Sequence, residues 1–255
     1  LEEAPDALAD LAKVQMHALQ TSGNCIRNTT ADQYAGVAAD EIEDPRVYCE
    51  MIRQWSSIHP EFSFLPRKFK IAVTGAPNDR AAVRVHDIGL RMHRDAAGEI
   101  GFEVMVGGGL GRTPMIGKTI RPFLPKQHLL SYLEAILRVY NLAGRRDNLF
   151  KARIKILVHE IGAAEMARRV EAEWEEIRET SVDLPADEVA RISAFFQPPP
   201  YAPQPGFAAE YEALRHADAD FARWTRTNLA AHKVPGYSIV NLSLKPTGKP
   251  PGDVT

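Results

Sequence analysis

Six consecutive residues, Leu65-Pro66-Arg67-Lys68-Phe69-Lys70, constrain this chain most, because they set cations directly into apolar, strand-forming sequence. Side chains alternate across a strand, so Lys68 and Lys70 point to one face. Two ammonium groups on one face repel each other, and such a pair is tolerated in water or where a shared anion neutralises both. A second basic segment, Gly23-Asn24-Cys25-Ile26-Arg27-Asn28, lies upstream. Spacing alone leaves two options open, a solvated basic strand face and an anion site. In an anion site, arginine supplies a permanent planar donor fork for oxyanion oxygens, whereas lysine in a partly dry site shifts its pKa and passes on a proton.

Periodicity sets the elements around these segments. Leu8, Leu11, Ala12, Gln15, Ala18 and Leu19 fall at helical spacing within Pro5 to Gln20 and predict a helix leading to the Arg27 loop. Asp44-Pro45 reads as an N-cap and first-turn proline, followed by Tyr48, Met51, Ile52 and Trp55 on one face, with an end near Ile58. Phe69 to Thr74, Ala82 to Arg91 and Glu99 to Val106 read as strands, the last two joined by the turn Asp95-Ala96-Ala97-Gly98. Leu129 to Tyr140 carries a strong helical stripe closed by Gly144. If Lys151 to Val158 is a strand, Arg153 and Lys155 share a face. A helix is expected from about Glu160 to Ile177, then an extended connector at Pro198-Pro199-Pro200, Pro203 and Pro205, a strand at Tyr237 to Leu244 and a turn at Lys245-Pro246-Thr247-Gly248. The fold class predicted is α+β, a mixed or antiparallel sheet packed with helices.

Composition narrows the function. A chain of 255 residues with net charge −2 gives no global reason to bind nucleic acid or a membrane surface, so any anion binding must be local. No apolar run is long enough to span a bilayer and the amino terminus is not a signal sequence, which makes a cytoplasmic location the default. Cys25 and Cys49 are too few for a disulfide scaffold and lack the clustering of a zinc site. None of the eight histidines forms a metal-binding helical pair, and His159-Glu160 lacks the second histidine of a zincin, so no metal ligands are assigned. Gly111 to Thr119, G-R-T-P-M-I-G-K-T, has one residue too many for a phosphate-binding loop; Pro114 removes a donor, and Arg112 replaces the third glycine of a dinucleotide motif.

The two basic segments resemble those of the sirohaem-containing sulfite and nitrite reductases, whose haem-binding half carries an N-x-x-R-N type loop followed by L-P-R-K-F-K. The likeness extends through Gly107-Gly108-Gly109, Lys151-Ala152-Arg153-Ile154-Lys155 and Trp224 to Thr255. It implies that Arg27, Lys68 and Lys70 are catalytic, orienting the oxyanion, polarising it and relaying protons. Asn24, Arg27, Asn28, Lys70, Gly108, Gly109, Arg112, Arg153 and Lys155 would contact sirohaem, with Lys118 and Arg121 as further candidates. The glycines would let backbone approach the macrocycle.

The implied activity is part of an assimilatory reductase taking sulfite to sulfide by six electrons, with ferredoxin or a flavoprotein as donor; nitrite to ammonia and a non-catalytic sirohaem-binding module are the alternatives. The family's four-iron cluster uses a C-x5-C and a later C-x3-C pair. Neither spacing occurs here, so the chain is expected to be a fragment, inactive alone and truncated at both ends. The implied division is a sirohaem-binding domain over 1–165, a helical and proline-rich linker over 166–220 and the start of a second ferredoxin-like domain over 221–255.

Overall fold

The computed structural model describes residues 1–179, 183–203 and 209–242. Five strands form one mixed sheet: β1 (Ile26–Thr30), β2 (Phe69–Thr74), β3 (Ile88–Arg94), β4 (Ile100–Val106) and β5 (Lys118–Pro125), adjacent in chain order. The first three run parallel, and β4 and β5 follow antiparallel. Helix α1 is Ala4–Lys13, and α2 (Pro45–Ser57) is the crossover from β1 to β2. Its start is as the sequence predicts: Asp44 accepts the Arg46 N–H at 3.0 Å and Pro45 occupies the first turn. Next come α3 (Leu129–Ala143, capped by Gly144), α4 (Ile154–Ile161), α5 (Ala163–Ile177), α6 (Ala186–Ser193), α7 (Ala209–Ala217) and α8 (Ala219–Asn228).

Strand alternation divides the sheet into two unlike faces. Phe69, Ile71, Val73, Ile88, Leu90, Met92, Phe102, Val104 and Val106 enter one core with side chains from α2 to α6. The opposite face carries Lys70, Ala72, Arg91, Glu103 and Met105. Ala72 and Met105 are closed over there by Val83 from a 3-10 turn at Val83–Val85. Because Phe69 is fully buried among the helices, Lys68 and Lys70 on either side of it face away from them.

Several elements differ from the sequence reading. The segment 82–91 is not one strand: Ala82 is left-handed (φ 53°), the 3-10 turn folds Val83 over the open face, and pairing begins at Ile88. Gly89 allows this, since a Cβ there would lie 2.3 Å from the Val83 carbonyl oxygen. The expected strand over Lys151 to Val158 is a turn followed by α4, which buries Ile154, Leu157 and Val158 at helical spacing. A short apolar run does not distinguish the two states by pattern alone. The helix expected from Glu160 starts instead at Ala163, after Gly162 (φ 83°) separates α4 from α5. At the amino terminus α1 stops at Lys13, buries no residue, and is followed by positive φ at Gln15 and Gln20.

Near the carboxyl end, β6 (Leu229–Ala231) and β7 (Ser238–Val240) form an antiparallel hairpin. Residues 243–255, including the expected turn at Lys245 to Gly248, and Pro205 lie outside the described residues. The hairpin does not join the large sheet. It docks by backbone on the loop after β1: Ala39 N–H donates to the Ala231 carbonyl at 3.2 Å and Lys233 N–H to that of Val37 at 2.8 Å. Within that loop both Glu41 carboxylate oxygens accept the Gly36 N–H, at 2.8 and 3.0 Å.

Burial pushes the Glu41 carboxyl up to about 7, helped by Asp44 and Asp32 and opposed by the Gly36 N–H and Lys233. The folded chain therefore holds this proton more tightly than the unfolded one, and the Glu41 contribution to stability falls as pH rises from the ordinary glutamate value toward about 7. Urea unfolding between pH 5 and pH 8 should show this loss in the wild type and a smaller one in Glu41→Gln; equal slopes would contradict it. For the core, Leu133→Ala, at a fully buried α3 position, should cost about 3 kcal/mol by urea unfolding. Leu142→Ala, at an 85% exposed position on the same helix, should stay within about 0.5 kcal/mol.

Candidate functional site

The two basic segments, distant in sequence, are clasped together. Leu65 N–H donates to the Asn24 carbonyl at 2.8 Å and Phe69 N–H to that of Cys25 at 2.9 Å. The Asn24 amide reaches the Pro66 carbonyl at 3.5 Å. Arg27 lies at a register shift between Ile26 and Asn28, and Asn28 stands opposite Lys70. The Arg27 Nε donates to the Gly23 carbonyl at 2.9 Å, which restrains a half-buried guanidinium beside the motif. Lys68 is held below the ordinary ammonium range by partial desolvation, then by the positive charges of Arg27, Arg67, Lys70 and Arg153. Arg67 and Arg153 thus belong to the same cationic field as the three residues expected to be catalytic.

A fully buried carboxylate, Asp87, sits behind this field. Its Oδ2 accepts the Lys70 N–H at 2.9 Å, while Oδ1 accepts Arg153 Nε at 2.9 Å and Nη2 at 2.6 Å. Its carbonyl accepts the Gly107 N–H at 3.0 Å. Burial pushes the Asp87 carboxyl up, opposed by the Arg153 guanidinium and the Lys70 N–H. Sequence reasoning missed Asp87 and left Arg67 without a role. A lone acid between two apolar strands carries no motif, and only the fold puts it under Arg153.

The glycine run joins the cluster in another way than expected. A Cβ on Gly107 would meet Val158 at 2.8 Å, one on Gly108 the Arg84 and His86 carbonyl oxygens at 2.5 Å, and one on Gly109 the Lys155 side chain at 2.9 Å. These glycines therefore let the chain pack on itself, and the space their missing side chains leave is filled by its own atoms. Lys155, also expected to face a cofactor from a strand, is buried on α4 and spends its ammonium on two loop carbonyls, Leu110 at 3.0 Å and Thr113 at 2.6 Å. Burial and the neighbouring Arg153 hold Lys155 below the ordinary ammonium range, with Asp87 opposing.

Arg112 is exposed at the loop tip, and Lys118 borders a cavity of about 470 Å³ shared with Gly107, Met115, Lys155 and His159. Arg121 is not part of the cluster. It pairs with Glu171 at 2.6 Å and stacks 4.8 Å over the Trp174 ring, fastening β5 to α5. Burial raises both thiols, Cys49 to about 12, and neither is in a disulfide. Among the described residues no group of three or more His, Cys, Asp or Glu side chains is placed to hold a metal.

Residues 22–178 match the family model described as the nitrite and sulphite reductase 4Fe-4S domain. The chain belongs to this family. Among its relatives, a protein named sulfite reductase [ferredoxin] 1 from Mycolicibacterium paratuberculosis is 28% identical over 186 residues, covering 73% of this chain and 33% of the relative. A ferredoxin–nitrite reductase from Leptolyngbya laminosa is 29% identical over 195 residues, covering 74% of this chain and 38% of that protein. The solved structure of the Mycobacterium tuberculosis NirA protein superposes with a TM-score of 0.64 at 28% identity, over 72% of this chain and 33% of that one. A dissimilatory sulfite reductase, DsrI, shares the fold at 12% identity with a TM-score of 0.54, over 82% of this chain and 62% of its own. The chain spans about a third of the length of the curated relatives.

The matched region holds both basic segments, Asp87, the glycine run and Arg153 with Lys155. If Lys155 latches the loop, Lys155→Met should speed amide hydrogen exchange at Met115 and Gly117 by about tenfold, the scale of one lost charge-assisted hydrogen bond. Exchange in β3 should not change. Wild-type protection at Met115 and Gly117 in that variant would remove the latch.

Proposed function

We propose that this chain supplies the anion-handling surface of a sirohaem-dependent assimilatory reductase that takes sulfite to sulfide by six electrons. One observation carries the reading: backbone hydrogen bonds clasp the Arg27 and Lys68–Lys70 segments together, so that Arg27, with Arg153 from the start of α4, joins Arg67 and Lys70 in the positive field at Lys68. A macrocycle bearing many carboxylates and an oxyanion substrate both need such a field, and the donor set fits them. Sirohaem, when bound, supplies the redox-active iron at which the anion is reduced. Arg27 orients the anion through its guanidinium fork. Lys68, with its lowered proton affinity, and Lys70 polarise it and deliver protons. Asn24, Asn28, Gly108, Gly109, Arg112, Arg153 and Lys155 border the cofactor on this reading. Of these, Arg153 is turned by Asp87, Lys155 is held by loop carbonyls, and the two glycines serve chain packing.

The four-iron cluster does not fit the residues of this chain. A four-cysteine ligand set cannot be drawn from Cys25 and Cys49, whose thiols are both pushed toward the protonated form, so no step is assigned to a cluster here. That observation favours, as a second reading, a sirohaem-binding module that does not turn over by itself. Relatives named for ferredoxin and for both sulfite and nitrite support a ferredoxin donor and keep nitrite as the alternative substrate, with a flavoprotein as alternative donor. The corresponding division is a sirohaem-binding unit over 1–165, a segment over 166–220 expected as a linker, and the start of a second ferredoxin-like unit over 221–255; α5 crosses the first boundary and, with Ile192 of α6, packs into the core of the first unit, so the linker is confined to residues after α6. A cytoplasmic setting accords with two unpaired thiols; no helix among the described residues is long and apolar enough to cross a membrane.

Reconstitution of the chain with sirohaem separates the readings. Binding without turnover supports the module, and multi-electron reduction by these residues alone contradicts the cluster argument. In a reductase carrying this segment, Lys68→Ala and Lys70→Ala should lower sulfite turnover by about 100-fold or more while leaving sirohaem content within about twofold. Wild-type turnover in both variants would remove their roles.

A further inference from the structure

We propose that Asp87 is a positioning residue for the cationic face: its buried carboxylate aims Arg153 at the Lys68 cluster and pins the Lys70 backbone beneath it. The inference rests on the sirohaem-reductase reading above and extends it to a residue that touches neither anion nor cofactor. Four segments meet at Asp87. They are the start of β2 through the Lys70 N–H, the start of β3, where residue 87 immediately precedes Ile88, the glycine run through Gly107 N–H, and the start of α4 through Arg153. The Lys70 bond falls one residue before the Ile71–Ile88 pairing, so the carboxylate continues the β2–β3 ladder with a side chain where the strand ends.

The geometry at Arg153 is directional. Nε and Nη2 both donate to Asp87 Oδ1, at 2.9 and 2.6 Å, which fixes the plane of the guanidinium from one edge. Nη1 makes no hydrogen bond to any described residue, and the side chain is 21% exposed. The fork is thus divided, with one edge held by Asp87 and Nη1 left without a described partner. Arg153 is at the same time one of the four cations that act on Lys68. A carboxylate under this guanidinium offsets part of a crowded positive field without occupying its surface. The other charged or titratable groups around Asp87 and the cluster are His86, Tyr140, Lys155, Arg27 and Arg67.

The test titrates the full 255-residue chain with sirohaem by absorbance, as wild type, Arg27→Ala and Asp87→Asn, and follows Lys68 by NMR of isotope-labelled lysine. Asparagine keeps an acceptor for the Lys70 N–H but not the charge under Arg153. Folded Asp87→Asn should bind sirohaem about tenfold more weakly, the scale of one charge-assisted hydrogen bond. Lys68 should titrate at lower pH than in the wild type, because the Arg153 charge is no longer offset. A purely architectural role would leave the Lys68 titration alone, so an unchanged affinity or an unchanged Lys68 titration in the folded variant overturns the proposal. If Asp87→Asn does not fold, the double variant Asp87→Asn with Arg153→Gln removes both buried charges together. It should also bind about tenfold more weakly, and wild-type affinity in it overturns the proposal. Failure of the wild-type chain to bind sirohaem sinks the functional reading and this inference with it. Binding by the wild type that Arg27→Ala weakens and Asp87→Asn does not sinks the inference alone.

Discussion

Crowding of like charge is the constraint around which this fold is arranged. Arg27, Arg67, Lys68, Lys70 and Arg153 share one region, and in isolation their mutual repulsion would spread the segments that carry them. The chain resists by committing backbone rather than side chains. Hydrogen bonds from Leu65 and Phe69 hold the two basic segments at fixed separation, and Phe69 anchors the lysine strand in the core on the far side of the sheet. Under the proposed function, this crowded positive field is what an anion would neutralise. Asp87 moderates this field from below, at a position water does not reach.

The same logic explains why the sheet has one covered face and one open face. The helices take Phe69, Ile71, Ile88, Leu90, Phe102 and Val104 into a single core, leaving the alternate positions for polar work. The 3-10 turn at Val83–Val85 closes only the small patch over Ala72 and Met105. Arg91 and Glu103, directly opposed across β3 and β4, approach to 3.5 Å on that face. The region near Lys70 stays accessible because the turn covers the sheet farther along.

Much of this was legible in the residues. The alternation around Phe69 placed Lys68 and Lys70 on one face, Asp44-Pro45 marked the start of α2, and the Leu129 to Tyr140 stripe with Gly144 marked α3 and its end. The family followed from the two basic segments, and the match over residues 22–178 agrees with it. What stayed hidden depended on packing partners far along the chain. Ile154-Lys155-Ile156-Leu157-Val158 satisfies a strand pattern as readily as a helical one until α5 and the glycine run surround it. Basic residues near a glycine loop read alike in sequence, yet Arg121 turns to Glu171 and Trp174 and Lys155 to loop carbonyls. No local pattern reports which partner a long cation will find.

The carboxyl-terminal hairpin meets the main body through main-chain groups at Val37, Ala39, Ala231 and Lys233. Every residue except proline carries those groups, so the junction places little demand on which side chains stand there. A substitution at Val37 or Ala39 can therefore leave these bonds in place, whereas the proposed anion handling depends on particular side chains at Arg27, Lys68 and Lys70.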